Sequence, residues 1–328
     1  MRRHPRTTAA AATVLLAACS LAVPGLTAGA SALPATEHAA APTAAAQQRV
    51  AEFWTPERMR SATPLDVTAD RPADAPRSTG RHTTVAPTPA PAPTPAHPSV
   101  RSFPQAGGPW TGGGAVLKTS GRVFFTFQGR TASCSGDAVT SGNHSTVITA
   151  GHCVKYQGSW HTNWTFAPGY HDGQAPYGTW TATKTLSTPQ WTASEDMNND
   201  IGAAVVAPLD GKQLTDVVGG QGLDFNGAYG RAMYSFGFPA ASPYDGTKLI
   251  HCSGTATKDF LLTKDHGLSC NMTGGSSGGP WFTSFDESTG TGLQASVNSF
   301  GYTFLPNTMF GPYFGDEAKA LYDTAQNT

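Results

Sequence analysis

Ser277 stands inside Gly274-Gly275-Ser276-Ser277-Gly278-Gly279-Pro280, a small hydroxyl with glycines on both sides. Glycine admits positive φ and close approach of the backbone, so amide N–H groups can crowd around one reacting atom. In such a turn Ser277 can attack a carbonyl carbon, and the N–H groups of Gly275 and Ser277 can hold the oxyanion that develops. The plain alternative is a glycine- and serine-rich surface loop. What decides between them is whether the chain supplies a base and a group to orient it. His152, in Thr149-Ala150-Gly151-His152-Cys153, offers an imidazole that titrates near neutrality and can take a proton and return it. Asp200 directly precedes the apolar run Ile201-Gly202-Ala203-Ala204-Val205-Val206. Its carboxylate therefore lies at the edge of the buried interior, where it can orient the imidazole and stabilise its charged form. Glu195 and Asp196 compete for that role from the same polar loop. His144, His161, His171, His251 and His266 lack such a setting and read as structural or solvent-exposed.

TAGHC, then an aspartate opening an apolar strand, then GGSSGGP, in that order, resembles the chymotrypsin-like (trypsin-fold) serine peptidases, in particular the bacterial glutamyl-endopeptidase-like branch. His, Asp, Ser is that family's chain order, and the likeness covers roughly residues 112 to 328. It implies an all-β fold of two antiparallel β-barrels with the site between them and a C-terminal helix on the outside. It also implies a secreted endopeptidase working through an acyl-enzyme on His152, Asp200 and Ser277. Asn271, Met272 and Thr273 match the stretch that lines the specificity pocket. Asn298-Ser299-Phe300-Gly301 resembles the Ser-Trp-Gly strand that pairs with the substrate backbone.

Three departures carry information. Vertebrate-type members place an aspartate before the nucleophile, to pair with a newly cut N-terminus. Here Ser276 stands instead, so maturation should work by removing a blocking leader. No acidic residue occurs among 271 to 273, which argues against a preference for Lys or Arg. Glutamate-specific relatives carry a histidine where this chain has Asn298, which speaks against an acidic preference. Neutral walls fit a medium apolar or polar side chain.

Two other functions compete. Gly275-Ser276-Ser277-Gly278-Gly279 also fits the G-x-S-x-G elbow of α/β-hydrolases, but that fold needs a histidine after the serine and none follows Ser277. A catalytically inactive peptidase-fold binding protein is the second. Such proteins usually lose one of the three catalytic residues, and all three positions are filled here.

The elements that must position these residues read as follows. Residues 122–128, 138–140, 146–149, 180–186, 201–206, 232–238, 249–252 and 293–300 are short apolar or alternating runs broken by Gly, Pro, Asn and Asp, the pattern of a sandwich or barrel. Helical spacing emerges only over 316–326, where Ala318, Leu321, Tyr322 and Ala325 share a face. Of five cysteines, Cys134, Cys153, Cys252 and Cys270 remain once Cys19 is assigned to a leader. Local spacing favours Cys134–Cys153 and Cys252–Cys270, one of three pairings, in an oxidising compartment. No C-x-x-C spacing occurs, so no metal is expected, and no cofactor.

Ahead of this body, residues 1–32 read as an export signal. Arg2, Arg3 and Arg6 precede an Ala/Val/Leu run, and Ala30-Ser31-Ala32 suits cleavage. A competing reading takes Leu16-Ala17-Ala18-Cys19 as a lipoprotein box with Cys19 lipidated, although the apolar run continues to Leu26. Residues 33–103 read as a mostly disordered pro-segment and linker. Within it, Thr55 can cap a helix that begins at Pro56, beside an apolar cluster of Val50, Phe53, Trp54 and Met59. Alternating prolines over 87–98 force an extended rod. Residues 104–328 form the peptidase domain. Charged residues are only 13% of the chain and the net charge is −1. With no basic stripe, nucleic acid is not an expected partner. A monomer that acts on protein or peptide substrates is expected, without a stable membrane span.

Overall fold

Strand-forming residues are buried on both sides in this protein, which is why few of its strands show clean alternation. In the computed structural model, which describes Met1 and residues 32–73, 79–91, 95 and 103–328, Ser120–Phe127 is the clearest case. Val123 and Phe125 point into a barrel core with Trp164, Phe166 and Leu186. Phe124, on the opposite face, packs with Trp54, Tyr170 and Phe238. A strand covered twice gives no polar face to read.

That barrel is closed. Ser120–Phe127 pairs with Arg130–Ala138, then Thr146–Thr149, Gly202–Val206, Trp180–Ser187 and Thr162–Pro168, which returns to the first strand. Closure leaves no ring edge exposed to other chains. The second half is a seven-stranded sheet, running through Gly222–Phe225, Thr291–Val297, Pro280–Asp286, Ala232–Gly237 and Ile250–Thr255, with a four-stranded sheet beside it. The expected all-β, two-barrel class with a terminal helix holds. Asp316–Gln326 is helical, with Ala318, Leu321, Tyr322 and Ala325 buried and Asp316 and Glu317 in its first turn, where acidic groups suit the helix dipole. Among the described residues, no helix is long and apolar enough to cross a membrane.

Both expected disulfides form: Cys134–Cys153 at 2.05 Å and Cys252–Cys270 at 2.09 Å. Arg2, Arg3, Arg6 and Cys19, on which the export and lipid-anchor readings rest, lie outside the described residues.

The described part of 33–103 carries more order than its composition suggests. Thr36–Ala39 adds a strand to Trp180–Ser187. Ala44–Phe53 is helical, and so is Pro56–Ser61, capped by Thr55 as its sequence predicts. Trp54 is buried against Phe124 and donates through Nε1 to the Asn163 carbonyl at 2.6 Å. Trp54 and Met59 together hide apolar area worth roughly 1.5–3 kcal/mol each. Composition counted the prolines and alanines of this stretch, but those two side chains dock it.

Candidate active site

His152 sits in a single 3-10 turn, Gly151–Cys153, directly after the strand Thr146–Thr149. Each neighbour of the turn is pinned. Cys153 is bonded to Cys134, and Trp164 donates from Nε1 to the Cys153 carbonyl at 3.0 Å. His161 donates from Nε2 to the carbonyl of His152 at 2.8 Å and stacks on Phe125 at 4.2 Å. Burial pushes the His161 pKa down to about 4, so this ring stays neutral and holds the backbone. Gly151 leaves room for the rest: a Cβ there would lie 2.8 Å from the Trp191 ring and 2.9 Å from Asp200 Oδ1.

Asp200 follows the 3-10 turn Met197–Asn199 and precedes the strand Gly202–Val206. Its Oδ1 accepts the His152 backbone N–H at 2.7 Å, and its Oδ2 accepts from His152 Nδ1 at 2.7 Å and from Ser299 Oγ at 2.5 Å. Imidazole and carboxylate are both fully buried. A carboxylate facing Nδ1 fixes the proton there and leaves Nε2 as the acceptor. That nitrogen is buried and has no hydrogen-bond partner among the described residues. The two competing acids are engaged elsewhere. Asp196 accepts from Asn198 N and Asn199 Nδ2, and Glu195 accepts from Gly158 N.

The turn carrying Ser277 is pressed against the His152 segment. Gly275 has φ 94° and Gly278 has φ 80°, values that favour glycine. A Cβ on Gly278 would lie 2.1 Å from Thr149 Oγ1 and 2.8 Å from Ala150 N. Ser135, on the first barrel, donates its backbone N–H to the Ser277 carbonyl at 2.7 Å and its hydroxyl to the Gly275 carbonyl at 2.9 Å. Asn298 completes the support by donating to Phe236 O and Ser276 O while accepting from Ser235 Oγ and Trp281 Nε1.

His152 and Asp200 are thus joined directly, and Ser277 is held beside them without a hydrogen bond to the ring. Its Oγ donates instead to the Leu65 carbonyl at 3.5 Å, and Gly275 N–H donates to the same oxygen at 3.1 Å. That oxygen belongs to the stretch ahead of residue 104, which the sequence reading assigns to a pro-segment.

A cavity of about 290 Å³ opens next to the turn, lined by Asn271, Met272 and Thr273 together with Gly301, Tyr302 and Thr308. Asn298, Ser299 and Phe300, expected from sequence in a strand that pairs with the substrate backbone, are not among the residues lining this cavity. Ser299 faces Asp200. Phe300 stacks on Phe310 at 5.3 Å, and Asn298 is turned inward with both amide atoms bonded. Sequence reasoning missed Ser299 as a partner of the carboxylate, although the strand likeness pointed to that residue. It also missed Trp191, for which no sequence signal exists.

No family model matches the chain. The protease Anisep from Arthrobacter nicotinovorans superposes with a TM-score of 0.62 at 46% identity, over 65% of this chain and 98% of its own. The thermostable serine protease AL20 from an extremophilic microorganism matches at 40% identity and a TM-score of 0.62, over 65% of this chain and 99% of its own. The chain belongs to the chymotrypsin-like serine peptidases. A glutamyl endopeptidase shares the fold at 16% identity and a TM-score of 0.54, over 70% of the peptidase chain and 100% of its own.

One curated relative, the extracellular metalloprotease of Bacillus subtilis (strain 168), is 45% identical over 74 residues. This covers 22% of the peptidase and 23% of that relative, so the chain spans about a quarter of its length. The metal-ligand types that converge among the described residues are Cys134, His152 and Cys153. The two sulfurs are bonded to each other and offer no thiolate, so this donor set does not suit a metal ion.

Proposed function

We propose that this peptidase is an exported serine endopeptidase that cuts peptide bonds through an acyl-enzyme on Ser277. His152 Nε2 takes the Ser277 proton as Oγ bonds to the scissile carbonyl carbon. Gly275 and Ser277 N–H groups hold the oxyanion. The C–N bond then breaks as the imidazolium gives that proton to the leaving amine. Water, deprotonated by the same ring, attacks the ester and frees Ser277. Asp200 keeps the ring in the Nδ1–H tautomer and stabilises its charged form. Residues 33–103 serve as pro-segment, and the two disulfides accord with an oxidising, extracellular destination.

The observation that carries this reading is the carbonyl oxygen of Leu65, received by Gly275 N–H and Ser277 Oγ together, beside a buried imidazole whose acceptor nitrogen is unengaged. A fluorophosphonate probe tests it. The processed protein should be labelled at Ser277, and Ser277→Ala and His152→Ala should abolish labelling with folding intact. Turnover of Ser277→Ala should drop about 10⁴- to 10⁶-fold. A processed, folded protein that never labels would establish the binding-protein alternative.

A further inference from the structure

The leader crosses the active-site cleft as an extended segment, and the residues it touches reveal its direction. Thr63 and Pro64 run parallel to Ala132 and Ser133, and Leu65 N–H donates to the Ser133 carbonyl at 3.0 Å. The Leu65 carbonyl then meets Gly275 N–H and Ser277 Oγ. Asp66 follows, against Gly274 and at the wall of the 290 Å³ cavity. Val67 and Ala69 are buried with Trp191, Met197, Phe300 and Tyr302. Thr68 bridges to Gly301 in parallel, and Ala69 N–H donates to the Gly301 carbonyl at 3.4 Å.

A substrate must lie the other way. With its leaving nitrogen toward His152, the residue that owns the attacked carbonyl would place its side chain toward the cavity lined by 271–273, and its preceding residues would run along 299–301. Its leaving amine has to pass the imidazole, on the flank where Cys134 is bonded to Cys153. In the leader, the carbonyl at the turn belongs to Leu65, while the side chain at the pocket is that of the next residue, Asp66. The nitrogen that would have to leave, Asp66 N, therefore lies on the pocket side, away from His152.

We propose that residues 63–69 bind the cleft in the direction opposite to a substrate. The segment is a peptide ligand that fills the site and resists being cut by it. This rests on Ser277 and Gly275 N–H being the reacting centre. Attack on the Leu65 carbonyl can only reverse, because no acid stands by the departing nitrogen. Removal of the leader must therefore begin with a cut outside 63–69, and the released segment remains a competitive inhibitor.

Paired cysteines in the full chain test the direction without needing any catalysis. Thr68→Cys with Gly301→Cys should form a disulfide on non-reducing peptide mapping, and Thr68→Cys with Ala132→Cys should not. The reverse pattern overturns the proposal. Val67→Asp puts a carboxylate into the apolar pocket and should speed fluorophosphonate labelling of the full chain about tenfold or more. Labelling at the wild-type rate overturns the block. So does a cut between Thr63 and Ala69 that appears in the wild-type chain and is absent from Ser277→Ala. An inert chain that still cross-links at Gly301 sinks the peptidase reading alone and leaves the direction standing.

Discussion

Asp200→Asn is the sharpest probe of the site, because its effect can be worked from geometry. On the proposed mechanism an imidazolium forms at His152 during turnover, and Nδ1 of that ring lies 2.7 Å from Asp200 Oδ2 in a fully buried pair. With charge spread over both groups, an effective separation of about 3 to 4 Å and an effective dielectric of about 20 give roughly 4 to 6 kcal/mol of attraction. Asparagine keeps the shape and removes that charge. It also offers an N–H₂ group, which can face Nδ1 and force the wrong tautomer. Because each 1.36 kcal/mol is tenfold in rate, kcat should drop by about 10³- to 10⁴-fold, with KM little changed. Steady-state hydrolysis of a fluorogenic peptide, chosen by library profiling, measures it, with circular dichroism checking the fold. A loss of less than about tenfold in a folded variant would falsify the assignment of Asp200, since no buried imidazolium would then be forming at its side.

Two further outcomes follow from the surrounding structure. Reducing Cys134–Cys153, which spans 19 residues, should cost about 3 kcal/mol of stability and lower the rate, because the bond anchors the residue after His152; unchanged melting and activity in reductant would count against that. Asp137 is buried, with Oδ1 accepting from Ser120 Oγ and Oδ2 without a hydrogen-bond partner among the described residues, and desolvation raises its pKa from 3.8 to about 8. The folded protein therefore keeps a proton that the unfolded chain releases, and stability falls as pH rises from about 4 to about 8. Asp137→Asn should flatten that dependence in urea melts at pH 5 and pH 8, and an unaltered slope would refute the account.

The parts of the site legible in sequence were those whose chemistry is local. A histidine between a strand and a cysteine, an aspartate opening an apolar run and a glycine-flanked serine each carry their own signal, and the helix 316–326 shows its face through spacing. Strands covered on both sides were harder. Arg130–Ala138 was read only at its tail, and Thr162–Pro168 and Pro280–Asp286 not at all. Their residues alternate between two interiors rather than between interior and water. The inward turn of Asn298, with both amide atoms bonded, was not legible because residue type does not tell which way a side chain faces. The leader's course was hidden for a different reason. A strand of two residues, Thr63–Pro64, has no periodicity, and only its partner 69 residues further along defines it.

Ser135 belongs to one half of the molecule, and the turn it braces, from Gly275 to Ser277, belongs to the other. The alcohol is thus encoded in the second half but aligned by a clasp from the first. Parting the two halves, even with every strand intact, would release that clasp and carry the hydroxyl away from its imidazole. Competence here is a property of the seam.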